Sequence, residues 1–190
     1  MGAHRGGAGR AGFSLLEVVI YIAVLSLIAS ALYSVMSGSA RQYEIGTKLS
    51  GIQEKGRKAM DELVAELRMA DRDPGQFLVT TLNGSQQLQF RISTGFAGGN
   101  PVFGPPITWN CPTSTVDANG NRLVDEARLV RTQNGRSITK THYVKQGGFS
   151  ATVTGNNVVL RLTMLTNDGY KKIIESTVES AVTLRNDSTP

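Results

Sequence analysis

Cysteine and histidine are almost absent from the chain. Cys111 is the single cysteine among 190 residues, which excludes an intrachain disulfide and a cysteine-rich metal site. The only histidines are His4 and His142, so no Ser/His/Asp set is available, and no paired-carboxylate site or phosphate loop stands out. The glycine cluster at residues 6–9 follows no expected strand and is not a nucleotide-binding motif. The sequence therefore argues against an enzyme.

A strong charge of one sign is also lacking. The net charge is +5 and the pI is about 9.6, and two of the positive charges, Arg5 and Arg10, lie in the first ten residues. The other basic residues are scattered rather than massed. The candidates for a nucleic-acid-binding strip are Lys140, Lys145, Lys171 and Lys172, and solvated strand faces account for them better. Nucleic acid is therefore not an expected partner.

What the sequence does contain is one long apolar run, from Phe13 to Met36. Its roughly 24 residues make about 36 Å of helix, enough to cross a hydrocarbon core of about 30 Å. Glu17 is the only charged residue in the run. The residues before it include Arg5 and Arg10 but no acid, so the positive-inside rule keeps the N-terminus cytoplasmic and exports the chain beyond Met36.

Three interpretations of this run compete. A secretory signal peptide would use the small residues Ala29-Ser30-Ala31 as its cleavage site, but the apolar run continues past them. A plain signal anchor would tolerate Glu17 because this residue lies near the cytoplasmic end. In a segment that leaves the membrane to pack against copies of itself, Glu17 needs a positive partner, and cleavage after Gly12 would create one in the α-amino group of Phe13.

The residues around that bond carry a family resemblance. The stretch Gly12-Phe13-Ser14-Leu15-Leu16-Glu17-Val18 resembles the processing site of type IV prepilins and pseudopilins, with glycine, an aromatic residue, glutamate and an apolar run at matching spacing. The resemblance implies cleavage between Gly12 and Phe13 by a prepilin peptidase and N-methylation of Phe13. It also implies that Glu17 sets register during assembly. The third interpretation is therefore the favoured one.

Beyond Met36 the sequence predicts a continuation of the helix to Asp73. Apolar or small residues recur every three or four positions, and the other face is charged. No proline interrupts residues 13–73, and Asp73-Pro74-Gly75 is expected to end the helix. Gly56 lies on the apolar seam, where it would allow a sheet to approach closely. The seam consists of Ile45, Leu49, Ile52, Gly56, Ala59, Leu63, Leu67 and Ala70.

The rest of the chain predicts antiparallel strands. Three hairpins are expected, at Asn83-Gly84, Asn134-Gly135 and Asn167-Asp168-Gly169. Their strands are 77–82 with 87–92, 127–132 with 137–144, and 158–166 with 171–184. Val158, Leu160, Leu162 and Met164 alternate with outward residues that include Leu165, and Ala97 to Pro106 is expected to be a loop. Cys111 continues the alternation of Ile107 and Trp109 and is expected in the core.

These elements predict an α+β fold, a long N-terminal helix packed on a C-terminal antiparallel sheet, which is the fold of a pilin. The domains expected are a cleaved leader at 1–12, a membrane or filament-core helix at 13–36, an amphipathic helix at 37–73 and a β head at 74–190. Residues 57–70 and 127–135 resemble minor pilins of the PilW kind and the related J-type minor pseudopilins of type II secretion.

The resemblance implies a structural subunit, a minor pilin that helps to initiate or cap a type IV pilus. A type II secretion pseudopilin and a DNA-uptake or adhesive tip pilin remain open as alternatives. The implied partners are prepilin peptidase, the major pilin and other minor pilins, the inner-membrane assembly machinery and, before assembly, membrane lipid. The implied location is the inner membrane in a single pass, then a pilus at the cell surface or a pseudopilus in the periplasm.

No cofactor is expected, with calcium as the one candidate. Oxygen-bearing side chains at Asp117, Asn119, Asn121 and Asp125 have the spacing of a calcium loop. However, Arg122 and Arg128 occupy the places that an EF-hand gives to glycine and glutamate. A weak calcium loop and an ordinary polar turn both remain open, and the two arginines favour the turn.

Overall fold

The computed structural model describes residues 14–70, 75–82, 85–112, 126–167 and 173–184. The chain divides into two compact units, Met1–Glu44 and Ile45–Pro190. One helix, α1 (Leu15–Arg68), contributes residues to both.

In the first unit, α1 begins directly after Ser14. The Ser14 carbonyl accepts hydrogen bonds from the amides of Glu17 at 3.0 Å and Val18 at 3.2 Å. The hydroxyls of Ser26, Ser30 and Ser37 donate to carbonyls of the same helix, at 2.7 to 3.0 Å. These polar side chains are thereby satisfied within the helix, as a nonpolar surrounding requires. Among the described residues, α1 is the one helix long and apolar enough to cross a membrane.

The described residues of the second unit form nine strands. They are β1 (Phe77–Leu82), β2 (Ser85–Phe90), β3 (Ser93–Ala97), β4 (Asn100–Phe103), β5 (Ile107–Asn110), β6 (Glu126–Gln133), β7 (Arg136–Thr154), β8 (Asn157–Asn167) and β9 (Ile173–Thr183). Seven form one antiparallel sheet in the order β1-β2-β5-β6-β7-β8-β9, and β3 and β4 form a separate hairpin.

The core lies between this sheet and the second half of α1. The buried helix residues are Ile52, Gly56, Ala59, Met60, Leu63, Val64 and Leu67. Sheet residues buried with them include Leu88, Trp109, Leu129, Leu160, Leu162 and Met164. The expected α+β fold is confirmed, and so is the apolar seam, in which Ile45 and Leu49 are partly rather than fully buried. Cys111 is buried in this core, as expected.

At Gly56, α1 and the sheet approach each other closely. A Cβ atom built on Gly56 would lie 3.3 Å from Cγ of Met164 and 3.4 Å from Cγ2 of Val178. Contacts at 3.3 Å leave no room for a longer side chain. As expected, Gly56 therefore allows the sheet to approach the helix closely, at β8 and β9.

Charged side chains join the end of α1 to the middle of the sheet. Glu66 accepts hydrogen bonds from Nε1 of Trp109 at 2.8 Å and from Nε of Arg131 at 2.6 Å. One turn earlier, Glu62 pairs with Lys140. Both oxygens of the partly buried Glu66 carboxylate are thus used, which fixes where the helix crosses β5 and β6.

The three expected hairpins are confirmed as the antiparallel pairs β1–β2, β6–β7 and β8–β9. In the second, Asn134 and Gly135 both have positive φ, 53° and 72°. This backbone is the one a two-residue type I′ turn needs, and Asn-Gly supplies it at low cost.

One expected strand, 87–92, lies two residues earlier, as β2 (Ser85–Phe90). Three further expectations about element bounds were wrong. The helix ends at Arg68 rather than Asp73, because the Ala70 amide bonds the Leu67 carbonyl at 3.0 Å and Ala70 then bridges to Ile92. The segment expected as a loop at 97–106 instead holds the β3–β4 hairpin. Its turn uses Gly98 and Gly99 with φ of 60° and 83°.

The third error concerns β7, which runs to Thr154 instead of ending at Val144. Val144 already pairs with Met164 of β8, the register then shifts before Phe149, and from Phe149 to Thr154 the pairing with β8 is continuous. Gly148 lies in this irregular stretch, where a Cβ atom would come within 2.9 Å of the Thr163 carbonyl oxygen. An irregularity at this stretch therefore lets the strand continue beyond Val144, where it was expected to end. In β8 the four alternating residues are buried as expected, but Leu165 is buried as well.

The close approach at Gly56 predicts a large effect of one substitution. We expect Gly56→Leu to lower the free energy of unfolding by about 1–3 kcal/mol, because the added carbons collide with Met164 and Val178. Gly51→Leu is the matched control. Nothing lies within 4 Å of a Cβ at that helical position, so we expect stability equal to or up to about 1 kcal/mol above that of the wild type. Chemical denaturation of the full chain in detergent, followed by circular dichroism, measures both. Equal stability of the two variants would contradict the tight contact.

Candidate functional site

The candidate site is the start of the chain around Gly12, Phe13 and Glu17. Gly12 and Phe13 lie outside the described residues, so their expected cleavage and methylation stay predictions. Glu17 lies in the first turn of α1. A carboxylate in a first turn interacts favourably with the unpaired amides of the helix N-terminus.

Glu17 has one neighbouring side chain that sequence reasoning missed. The hydroxyl of Tyr21 donates a hydrogen bond to Oε1 of Glu17 at 3.3 Å. The signal was present in the sequence, because residues four apart lie on one helix face. A phenol hydroxyl is neutral at ordinary pH, so it solvates the carboxylate but leaves its negative charge uncompensated.

Around this carboxylate the surface of the helix is apolar. From Leu15 to Met36 the large hydrophobic side chains are exposed to between 45% and 83% of their full area, whereas Glu17 itself is only partly exposed. The next charged residue along the helix is Arg41. From Leu15 to Met36 the helix thus offers a single carboxylate at one end of a long apolar surface that no described residue covers.

This arrangement is suited to binding. An isolated carboxylate accepts charge-assisted hydrogen bonds from an ammonium group, and these are about twice as strong as neutral ones. An uncovered apolar helix associates with lipid or with other apolar helices. The combination suits a partner that presents an apolar helix and a positive charge close to its start.

The other titratable candidates do not form a second centre among the described residues. Burial raises the pKa of the Cys111 thiol to about 12, so it stays protonated and is a poor nucleophile near neutral pH. No group of three or more His, Cys, Asp or Glu side chains that could hold a metal ion occurs in the described ranges. The four calcium candidates, Asp117, Asn119, Asn121 and Asp125, lie outside those ranges.

The lysines considered for nucleic-acid binding are partly neutralised. Lys140 pairs with Glu62, and Lys145 pairs with Glu175 at 2.8 Å. Lys171 and Lys172 lie outside the described residues. Two of the four candidate cations therefore face carboxylates of the same chain, which weakens the case for a basic strip.

Comparison with known proteins gives one match. Residues 8–33 match the family model of the prokaryotic N-terminal methylation motif, a segment that includes Gly12, Phe13 and Glu17. No curated protein and no solved structure matches the chain. The chain thus carries this motif on a long helix that packs on an antiparallel sheet, a pilin-like α+β architecture.

Proposed function

We propose that the chain is a minor pilin that helps to initiate or cap assembly of a type IV pilus. Prepilin peptidase would cleave it between Gly12 and Phe13, and Phe13 would then be N-methylated. The observation that carries the proposal is the lone Glu17 carboxylate at the head of an uncovered apolar helix, within the matched methylation motif.

Under this proposal, the apolar half of α1 lies first in the membrane and then among the helices of the filament. Before assembly, the bilayer covers the side chains from Leu15 to Met36, and Glu17 lies close to the cytoplasmic headgroups. After assembly, helices of neighbouring subunits replace the lipid. An unpaired carboxylate in such a helix bundle costs several kcal/mol, so the filament requires a cation next to Glu17.

The α-amino group of Phe13 is the cation that processing would supply. On the same chain it lies four residues before Glu17, about one helical turn, and an internal pair is available before assembly. On a neighbouring subunit it would pair across the helix interface and fix the axial register of the two helices. We propose that the internal pair serves the membrane stage and the intermolecular pair the filament.

The choice among a pilus, a secretion system and a DNA-uptake system rests on sequence resemblances and on two ion pairs of the second unit. The resemblance of residues 57–70 and 127–135 favours a minor pilin, with a type II secretion pseudopilin as the nearest alternative. The ion pairs of Lys140 and Lys145 count against a DNA-binding pilin. A pilus subunit is expected in sheared surface filaments, whereas a secretion pseudopilin acts within the periplasm, so cell fractionation separates the two.

The first prediction concerns the cleavage site. Replacing Gly12 with glutamate places a bulky charged side chain next to the scissile bond, so we expect the precursor to persist in the inner membrane. Gly9→Glu, three residues upstream, adds the same charge away from the bond and is expected to be processed. Immunoblots after electrophoresis resolve precursor from mature chain. A Gly12→Glu chain that matures at the normal rate would contradict processing at this site.

The second prediction concerns the charge of Glu17. Glu17→Gln keeps the size of the side chain and an acceptor for Tyr21, but leaves the neighbouring amine unpaired. We expect membrane insertion to be unchanged and incorporation into sheared pili to fall at least about tenfold, since a broken buried ion pair costs roughly 3–5 kcal/mol.

Tyr21→Phe is the matched control for that experiment. It removes the 3.3 Å hydrogen bond and retains the Glu17 charge, so incorporation should stay within about twofold of the wild type. Quantitative immunoblots of the membrane and sheared-pilus fractions measure both variants. Normal incorporation of Glu17→Gln would show that the charge has no role in assembly.

A further inference from the structure

Among the described strands, none pairs with the outer edge of β9, the last strand of the sheet, and this free edge is unusually regular. β9 is the terminal strand in the sheet order, and all 11 of its residues pair with β8 without a register shift. Proteins usually protect an exposed edge with a bulge, a proline, a lysine or a short strand. The sequence of β9, IIESTVESAVT, has neither proline nor lysine, and the pairing shows no bulge.

The alternation of hydrogen-bonded pairs between β8 and β9 identifies the residues whose backbone groups face the free edge. The Leu184 amide donates to the Asn156 carbonyl at 2.8 Å, and these two residues continue the register of Asn157 with Thr183. In antiparallel pairing, hydrogen-bonded pairs alternate with non-bonded pairs. The amides and carbonyls turned away from β8 therefore belong to Ile173, Glu175, Thr177, Glu179, Ala181 and Thr183.

The two carboxylates of β9 are drawn away from this edge. Glu179 pairs with Arg161 on β8 at 2.5 Å, and Glu175 pairs with Lys145 on β7 at 2.8 Å. Both partners lie on the inner side of β9. These residues do not shield the edge backbone, but their half-exposed carboxylates remain available to a strand placed alongside.

Beside the same edge, α1 has an uncovered flank. A cleft between α1 and β9 is lined by Gln53, Arg57, Met60 and Asp61 of the helix and by residues 177–180 of the strand. Neighbouring strands of a sheet lie about 4.8 Å apart. One further strand next to β9 would therefore lie over this cleft, its side chains facing alternately the polar flank of the helix and the side of Glu175 and Glu179.

We propose that the free edge of β9 binds an extended segment of another protein, which adds a strand to the sheet. The side chains that this segment would carry follow from the residues along the edge. Lysine or arginine four residues apart would lie beside Glu175 and Glu179, which are about 13 Å apart along a strand. Hydroxyl or amide side chains would face Gln53, Arg57 and Asp61. This proposal depends on the second unit alone and not on processing or pilus assembly.

A second copy of this chain is a poor occupant of the edge. Two antiparallel β9 strands overlapping along their full length would place Thr177 of each opposite Glu179 of the other. Each Glu179 would then lie diagonal to both carboxylates of the second strand. Four carboxylates would thus gather on one face of the pair, where like charges destabilise strand pairing.

The test uses the full chain in detergent and two short labelled peptides. One has lysine at two positions four residues apart and threonine elsewhere, and its twin has glutamate at those positions. Fluorescence anisotropy should show saturable binding of the lysine peptide, about fivefold tighter than that of the glutamate peptide. The double substitution Glu175→Lys and Glu179→Lys should reverse this preference. Absence of saturable binding, or an equal affinity for both peptides, would overturn the proposal.

A backbone variant tests strand addition itself. Thr177→Pro removes an amide that faces the free edge without removing a bond to β8, so both peptides should bind at least about tenfold more weakly. Thr177→Ala keeps the amide and should bind like the wild type. Circular dichroism shows whether each variant is folded. If Thr177→Pro unfolds, the double substitution Glu175→Lys and Glu179→Lys tests strand addition in its place. Thr177→Cys chains that form a disulfide with Glu179→Cys chains would show a second copy at the edge and overturn the choice of occupant.

Discussion

The helix α1 cannot bury its two halves in the same way, and the other features of the chain follow from this constraint. From Ile52 to Leu67 its apolar face is covered by the sheet of the same chain. From Leu15 to Met36 the large side chains stay exposed, and lipid or other helices must cover them. Within that uncovered half, the charge of Glu17 is tolerated at a lipid–water boundary, but among packed apolar helices it requires a cation.

The covered half shows how the sheet fixes one position on the helix. Gly56 admits Met164 and Val178 to within 3.4 Å, and the Glu66 carboxylate holds Trp109 and Arg131 close to the other end of the contact. The contact at Gly56 sets the distance between α1 and the sheet. The hydrogen bonds of Glu66 set the point at which the helix crosses the sheet. Together they give the second unit a single packing arrangement, which is what leaves one flank of α1 and the edge of β9 uncovered.

Much of the fold could be predicted from the sequence because it depends on local patterns. The helix period, the Asn134-Gly135 turn and the alternation of Val158 to Met164 each involve neighbouring residues, and all were confirmed. The Glu66 cluster joins residues 43 and 65 positions apart, which no local pattern reveals. The strand expected to end at Val144 instead bulges before Phe149 and continues to Thr154. At the candidate site, Glu17 was identified from its isolation in an apolar run, whereas its Tyr21 partner was overlooked.

The central claim is that processing creates the cation that Glu17 requires. Mass spectrometry of the N-terminal peptide, from chain isolated from its native membrane, tests this most directly. The account predicts a chain that begins at Phe13 and carries one added methyl group on the α-amino nitrogen. A chain that begins at Met1, or one cut near Ala29-Ser30-Ala31, would lack that amine next to Glu17 and would contradict the account.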